Sequence, residues 1–272
     1  MSNHEQQPDW DSLAAKFDYW LPHLAPVSES LISALKPQVG DSILDVACGT
    51  GEPSLTLAQQ HSSKISLTST DAAEGMIHAA RHKTQNQGIK NIRYHCMSAE
   101  SLGYANGAFD AVLSRFGIML FADPVLGLKE IHRVLKPGGR FAFAVWGTAD
   151  SMTTLRWAHQ VFENRIPQDA MPPLELATRL GTKEALSETL SAACYTDFTI
   201  ETHALHYHFA SFEDYWNTIE ASEIMSIQIN ALSKPEEIHD IKQEYASLAK
   251  QHAHASGLSI PHEYLVASGK KT

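Results

Sequence analysis

Ile43-Leu44-Asp45-Val46-Ala47-Cys48-Gly49-Thr50-Gly51-Glu52-Pro53 joins a strand, a glycine turn and the start of a helix. The residues before Ala47 are mostly apolar and branched, as in a parallel strand that is covered on both faces. Gly49 and Gly51 allow a sharp turn and leave room for a ligand beside the backbone. Pro53 suits the first turn of a helix, whose free N–H groups attract anionic groups. The stretch therefore predicts a cofactor-binding loop.

A Gly-x-Gly turn also occurs in dinucleotide-binding folds, so the flanking residues have to distinguish a dinucleotide site from a site for another cofactor. Ser54 stands where the dinucleotide fingerprint has its third glycine. Asp45 lies at the end of the strand, where its carboxylate can bind either the N–H groups of the loop or an ammonium group of the ligand. Asp71 ends the next predicted strand and suits a ribose in either fold. The loop alone thus leaves both cofactor classes open.

Two further stretches favour one of these classes. Phe109–Gly117 has the pattern of a buried strand, and Glu130–Arg140 has that of a helix followed by a glycine turn. In this order, the stretches resemble the class I S-adenosylmethionine-dependent methyltransferases over residues 40–147. Within that family the chain is most similar to the branch that contains the ubiquinone and menaquinone C-methyltransferases.

The resemblance implies S-adenosylmethionine as the cofactor, with the glycine loop near its methionine and ribose portions. Ser98 stands where family members often have an Asp that binds the adenine amino group. Met76 either covers the adenine or fills the core. Arg115 binds a carboxylate of the substrate or of the cofactor, or forms a salt bridge at the sheet edge. The predicted cofactor-binding residues are Asp45, Ala47, Gly49, Gly51, Asp71, Ala72, Met76, Ser98, Ala99, Glu100, Ser114, Arg115 and Tyr19, the last as an aromatic ring over the sulfonium.

Methyl transfer from a sulfonium needs orientation and desolvation more than a fixed catalytic triad. His206 and His208 are the candidate catalytic bases, because strand alternation sends both side chains to one face and Tyr207 to the other. If that face lines the substrate pocket, either imidazole can take a proton from a phenol or an amine. The alternative is a solvated strand face. The sequence contains no spacing of ligands that suggests a metal.

The composition limits the partners. The chain has 272 residues, 43% of them hydrophobic, and a net charge of −10. This charge repels phosphate backbones and anionic lipid, so we expect a small-molecule substrate and neither nucleic acid nor membrane as partner. Three cysteines are too few for a disulfide framework, and residues 1–7 lack the pattern of a signal peptide. We expect a cytoplasmic protein that can form a homodimer.

Alternation of strands and helices predicts an α/β fold, with a Rossmann-like, seven-stranded, mostly parallel sheet, helices on both faces and a helical lid. The N-terminal region reads as two helical stretches broken near Pro22 and Pro26. Gly138-Gly139 reads as a helix stop. The expected organisation is an N-terminal helical segment at 1–39, a cofactor-binding core at 40–150, an insertion at 151–182, more of the core at 183–211, a helical lid at 212–257 and a final antiparallel strand at 258–272.

The sequence thus predicts an S-adenosylmethionine-dependent methyltransferase that acts on O, N or C of a small metabolite. An NAD-dependent oxidoreductase and a cofactor-binding module without catalytic activity remain as alternatives. The C-terminal half contains no pattern that identifies the substrate.

Overall fold

The structure, a computed structural model, describes residues 9–14, 16–61, 64–232, 234 and 236–272. Residues 1–7, for which the sequence predicts no signal peptide, lie outside these ranges. A central sheet in the order β3-β2-β1-β4-β5-β8-β6 organises the chain, and the short β7 pairs with β8. The strands are β1 Ser42–Val46, β2 Ser66–Asp71, β3 Ile92–Cys96, β4 Phe109–Arg115, β5 Leu135–Trp146, β6 Asp197–Phe209, β7 Ala253–His254 and β8 Gly257–Lys270.

The sheet is parallel except at β8, which lies antiparallel between β5 and β6. This arrangement confirms the predicted fold class and the antiparallel final strand. The pairing of β8 with β5 ends at Tyr264, whereas its pairing with β6 continues to Leu258. The two strands therefore extend as a two-stranded arm beyond the carboxyl end of β5.

Helices cover both faces of the sheet, as βαβ crossovers require. None of the helices in the described ranges is long and apolar enough to cross a bilayer. The helices are α1 Trp10–Leu13, α2 Leu21–Leu35, α3 Ser54–His61, α4 Glu74–Asn86, α5 Pro124–Val134, α6 Thr153–Phe162, α7 Leu174–Thr178, α8 Lys183–Ala192, α9 Phe212–Ser222, α10 Ser226–Asn230 and α11 Glu237–Ala249.

The predicted break of the N-terminal helix at its prolines is wrong, because α2 runs through Pro26 without interruption. Pro22 lies in the first turn, where a missing N–H costs nothing. Pro26 does remove one helical hydrogen bond. The apolar face of α2 compensates by packing on the sheet, with Val27 and Leu31 fully buried.

The glycine pair does not end the helix before β5. Helix α5 ends at Val134, and Leu135 is already extended and pairs with Phe109. Pro137 disfavours helical geometry at the residue before it, which explains the early end. The register shifts between Phe109 and Ala111 on β4, so Gly138-Gly139 lies in an irregularity of the strand.

The predicted insertion at 151–182 contains α6 and α7. Trp157 and Phe162 on α6 are fully buried. Helices α9 to α11 lie within the stretch expected to form a lid: α9 contacts the turn Phe17–Tyr19, and α11 contacts α6 and α9. The domain boundaries and the role of these helices as a lid stay predictions.

The insertion of β8 generates a first test. A Cβ added to Gly269 would lie 1.9 Å from the carbonyl oxygen of Asp197 on β6, so Gly269→Ala must displace backbone. We expect Gly269→Ala to lower the free energy of unfolding by about 1–3 kcal/mol, as overpacking does. Urea denaturation measures this change. Gly103→Ala is the control, because a Cβ there meets nothing within 4 Å. Equal stability of the two variants would contradict the described packing of β8.

Candidate functional site

The turn after β1 uses its two glycines for different purposes. Gly49 has φ +53°, and a Cβ added there would meet nothing within 4 Å. Gly51 has φ +110°, and its Cβ would lie 3.2–3.3 Å from Leu55, Ala80 and the Tyr94 hydroxyl. Gly51 therefore permits close packing of α3 against α4, while Gly49 exposes backbone to open space. Helix α3 begins at Ser54, one residue after the expected start.

Asp71 at the end of β2 fixes this turn from the neighbouring strand. One carboxylate oxygen accepts the Gly49 N–H at 2.8 Å, and the other accepts the Ala73 N–H at 3.0 Å. Burial raises the pKa of Asp71, while these N–H donors favour its ionised form. Each oxygen keeps a free lone pair. The carboxylate can therefore hold the loop and still accept a hydroxyl of a ligand.

Asp45 at the end of β1 is fully buried. The Ser54 hydroxyl donates to its Oδ2 at 2.8 Å, and the Ser69 hydroxyl lies 2.8 Å from that of Ser54. The serine that replaces the third glycine of the dinucleotide fingerprint thus anchors this carboxylate. Asp45 does not bind the N–H groups of the loop within the described residues, and its Oδ1 has no partner there. Burial raises the pKa of Asp45 to about 7.

The end of β4 faces the end of β1. The Ser114 hydroxyl is fully buried and has no hydrogen-bond partner among the described residues. A Cβ on Gly117 would lie 2.5 Å from the Cβ of Ala47 and 2.6 Å from the Ser114 hydroxyl oxygen. Only glycine permits this approach. Ala47 and Phe116 both have positive φ, at 57° and 61°, and such strain in non-glycine residues concentrates at functional sites.

The other predicted residues lie near the carboxyl ends of β2 and β3. Ala72 is exposed, whereas Met76 is 3% exposed in the first turn of α4. The Ser98 hydroxyl donates to the Glu100 carboxylate. Glu100 thus places a carboxylate next to the position where Ser98 replaces the aspartate of the family. Ala99 is buried between them.

The N-terminal segment that contains Tyr19 contacts the loop through an aspartate that the sequence did not indicate. The Asp18 carboxylate accepts from the Thr50 hydroxyl at 2.7 Å and from the Lys83 ammonium at 2.8 Å. Asp11 accepts the Gly75 N–H at the start of α4. Tyr19, the residue predicted to cover the cofactor, is 52% exposed. Asp18 rather than Tyr19 therefore contacts the glycine loop, and no local pattern distinguishes it from a surface acid.

The histidines chosen as bases do not face a pocket. His206 and His208 are exposed, and a ring nitrogen of His206 lies 3.0 Å from the Ser259 hydroxyl. Tyr207 between them is buried. The alternation is as predicted, and the apolar side of β6 turns inward and leaves both imidazoles in solvent, which is the alternative that the sequence left open. The structure gives these two residues no role as bases.

His262, which the sequence did not indicate, is buried beside Tyr207. Its Nδ1 lies 3.2 Å from the Ile260 carbonyl oxygen, and its Nε2 lies 2.9 Å from the Thr154 hydroxyl. Burial lowers the pKa of His262 to about 3. Both ring nitrogens are occupied and the ring is neutral, so His262 supports the arm formed by β6 and β8.

These residues fit S-adenosylmethionine. Asp45 Oδ1 and the Ser114 hydroxyl are buried acceptors that suit an ammonium group. Asp71 suits ribose hydroxyls. The open backbone at Gly49 leaves room for the part of the cofactor that connects its ribose to its ammonium group. The strand order and this set of residues define the class I S-adenosylmethionine-dependent methyltransferases.

Comparison with known proteins gives the family. The model of the ubiE/COQ5 methyltransferase family matches residues 27–172, more than half of the chain, and the chain belongs to this family. Its cofactor is S-adenosylmethionine, which removes the NAD-dependent alternative.

Individual relatives match over part of their length. Aklanonic acid methyltransferase DauC of Streptomyces sp. is 30% identical over 134 residues, 49% of this chain and 58% of the relative. A demethylmenaquinone methyltransferase of Bacteroides fragilis is 38% identical over 120 residues, 44% of this chain and 49% of the relative. The chain thus spans about half the length of the curated relatives it matches.

A solved structure resembles nearly the whole chain. Phosphoethanolamine N-methyltransferase 2 of Haemonchus contortus, in complex with S-adenosylhomocysteine, superposes with a TM-score of 0.60 at 15% identity. The superposition covers 95% of this chain and 57% of the other. At this identity the likeness shows the shared fold.

The buried Asp45 generates a prediction about pH. Its pKa rises from 3.8 to about 7 on folding, so the folded state retains a proton that the unfolded state has lost. We therefore expect the free energy of unfolding to fall as pH rises through this window, by up to about 1.4 kcal/mol per pH unit. Urea denaturation of the wild type and of Asp45→Asn at several pH values measures the effect, because the amide removes this slope.

Asp110→Asn is the matched control. Lys136 and the Ser42 N–H lower the pKa of Asp110, so the contribution of Asp110 to stability is lost only as pH falls below the usual aspartate range. Between pH 4 and 7 its replacement should shift stability by a constant amount. Parallel stability curves for the wild type and Asp45→Asn would contradict a protonated Asp45.

Proposed function

We propose that this chain transfers a methyl group from S-adenosylmethionine to an oxygen, nitrogen or carbon atom of a small aromatic metabolite. The observation that carries this proposal is that two buried acceptors at the ends of β1 and β4, Asp45 Oδ1 and the Ser114 hydroxyl, have no partner among the described residues, while Gly49 in the turn after β1 leaves its backbone open. An unsatisfied buried oxygen costs free energy unless a ligand supplies a donor. An ammonium beside these oxygens removes that cost.

The remaining contacts of the cofactor follow from this placement. Asp71 accepts from the ribose hydroxyls with the lone pairs that the loop leaves free. Met76 and Ala99 flank the adenine, and Glu100 with Ser98 binds its amino group. Asp18 holds the N-terminal segment against Thr50 and limits the access of water. Bound S-adenosylmethionine supplies an activated methyl group, while the protein supplies orientation.

An aromatic acceptor is supported by the residues beyond the end of β4. Phe116 stacks on Trp146 at 3.7 Å between ring centroids. By the same measure, the Tyr207 ring lies 4.2 Å from His262 and 5.8 Å from Trp20. Flat rings pack well against such side chains. The names of two relatives, an aklanonic acid methyltransferase and a demethylmenaquinone methyltransferase, support an aromatic acceptor. A cytoplasmic location and a homodimer stay predictions.

The first test of the cofactor site is Gly49→Val. The new side chain fills the space that Gly49 leaves open, so we expect S-adenosylhomocysteine binding to fall below detection in isothermal titration. Gly88→Val is the matched control, since Gly88 also has positive φ and open surroundings but lies after α4. Normal binding by Gly49→Val would place the cofactor elsewhere.

Asp71→Ala tests the ribose contact. The variant loses an acceptor for the ribose and the hydrogen bond to Gly49, so we expect S-adenosylhomocysteine affinity to fall by about tenfold or more. Asp169→Ala, which removes an exposed carboxylate between α6 and α7, controls for the change in net charge. Unchanged affinity in Asp71→Ala would remove this residue from the site.

Methyl transfer itself is tested by incubating the protein and S-adenosylmethionine with a panel of hydroxylated aromatic acids and quinols. Mass spectrometry of the products detects the added methyl group. Cofactor binding without methylation of any member would favour the alternative of a binding module. No binding of S-adenosylhomocysteine by the wild type would refute the methyltransferase assignment.

A further inference from the structure

We infer that Arg115 and Tyr207 bind an ionised oxygen of the methyl acceptor, so that the site selects acidic aromatic acceptors. The inference deepens the proposed function and rests on it. Arg115 ends β4, and Tyr207 lies on the arm formed by β6 and β8. Both residues contact α2: the Arg115 guanidinium donates to the Ser28 hydroxyl, and the Tyr207 ring lies 5.3 Å from the His23 ring between centroids.

Arg115 has a buried guanidinium, and the carboxylates that act on its charge, Glu52 first and Asp45 second, form no ion pair with it within the described residues. Its Nη1 donates to the Ser28 hydroxyl on α2 at 2.9 Å, and it forms no ion pair among the residues that the structure describes. A guanidinium has five N–H donors, and a buried charge is costly without a counter-ion. Glu52 acts on the charge of Arg115 more than Asp45 does, and the raised pKa of Asp45 leaves that carboxyl only partly ionised at neutral pH. An anion supplied by a ligand would complete this site.

Tyr207 provides a second donor. It is 5% exposed, and its hydroxyl forms no hydrogen bond within the described ranges. Burial raises the pKa of Tyr207, so the phenol stays protonated and can donate. The electrostatic field of Arg115 reaches this hydroxyl. A guanidinium and a phenol are together suited to an oxyanion, because both donate and neither accepts strongly.

Aromatic rings connect the two donors and determine the shape of the acceptor. Between ring centroids, His23 on α2 lies 5.3 Å from Tyr207, and Trp146 lies 6.3 Å from His262. The His262 ring is in turn in contact with the Tyr207 ring. Phe116, the residue after Arg115, stacks on Trp146. A planar ring can pack against these aromatic side chains, and an acidic substituent on that ring suits the donors of Arg115 and Tyr207.

The direction of the Arg115 side chain separates it from Ser114. Neighbouring residues of a strand point to opposite faces of the sheet. Ser114 turns toward Ala47 and Gly117, whereas Arg115 turns toward Ser28 on α2. We therefore assign Ser114 to the cofactor and Arg115 to the acceptor, although the cofactor has a carboxylate of its own.

The chemical consequence is that transfer needs no protein base. An acceptor held as an oxyanion has already lost its proton to solvent. The bond between the acceptor oxygen, or the carbon that its charge activates, and the methyl carbon forms as the methyl–sulfur bond breaks, and sulfur keeps that electron pair. When carbon is methylated, the ring proton leaves afterwards to water, and the electron pair of its C–H bond restores the aromatic ring. The exposure of His206 and His208 agrees with such a site.

Two isosteric probes test the inference: naphthalene-2-carboxylate is an anion, and naphthalene-2-carboxamide is neutral. Binding of each to the wild type saturated with S-adenosylhomocysteine is measured by isothermal titration. We expect the carboxylate to bind about tenfold more tightly than the amide, as for a charged hydrogen bond. Arg115→Gln should abolish this preference, Arg115→Lys should keep part of it, and Tyr207→Phe should reduce it.

The control is Arg93→Gln, which makes the same charge change at an exposed position on β3 and should preserve the preference. Affinity for S-adenosylhomocysteine should be the same in Arg115→Gln and the wild type. If it falls, Arg115 serves the cofactor carboxylate and the inference is overturned. If Arg115→Gln does not fold, the inference is decided by two other measurements: the preference of the wild type for the carboxylate over the amide, and the loss of that preference in Tyr207→Phe.

Equal affinity of the wild type for the two probes, or no binding of the carboxylate, would also overturn the inference. Either result leaves the proposed function intact so long as S-adenosylhomocysteine binds. A wild type that does not bind S-adenosylhomocysteine would instead refute the proposed function. The two failures are therefore distinguishable.

Discussion

The carboxylate of Asp71 connects the two segments on which the cofactor site is built. It accepts the Gly49 N–H from the turn after β1 and the Ala73 N–H from the turn before α4. Both donors are main-chain groups that would otherwise lack a partner in a partly buried place. Because the two bonds come from different segments, they fix the position of the glycine turn relative to β2 and α4. The open side of Gly49 then faces outward.

Burial of a second carboxylate gives the site its electrostatic character. Asp45 is fully buried and shares a chain of hydroxyls with Ser54 and Ser69. These hydroxyls satisfy Oδ2 of Asp45 and leave its Oδ1 without a partner among the described residues. Arg115 at the end of β4 lies on the same face of the sheet as Asp45, because Asp45 pairs with Leu113, and Arg115 forms no ion pair among the described residues. The end of the sheet thus presents both acceptors and a buried guanidinium, which suits the proposed cationic cofactor and anionic acceptor.

The C-terminal strands determine what reaches this end of the sheet. β6 and β8 continue pairing beyond the last residue of β5, and their inner face brings Tyr207 and His262 near the end of β4. His262 is held neutral by two hydrogen bonds and supports the arm. N-terminal residues close the other side, where Asp18 joins Thr50 to Lys83. The site is therefore assembled from both halves of the chain.

The amino-acid sequence alone determined the α/β fold, the glycine turn and the positions of Asp45 and Asp71 near the ends of β1 and β2, because strands, turns and strand ends follow from local patterns of apolar residues and glycine. It also determined the alternation of His206, Tyr207 and His208. Only the tertiary structure decided which of the two faces of β6 is buried and that Asp18 contacts the loop. It likewise showed that Asp71, rather than Asp45, binds the Gly49 N–H. These facts depend on packing between segments far apart in the chain, and a local pattern contains no information about its distant partner.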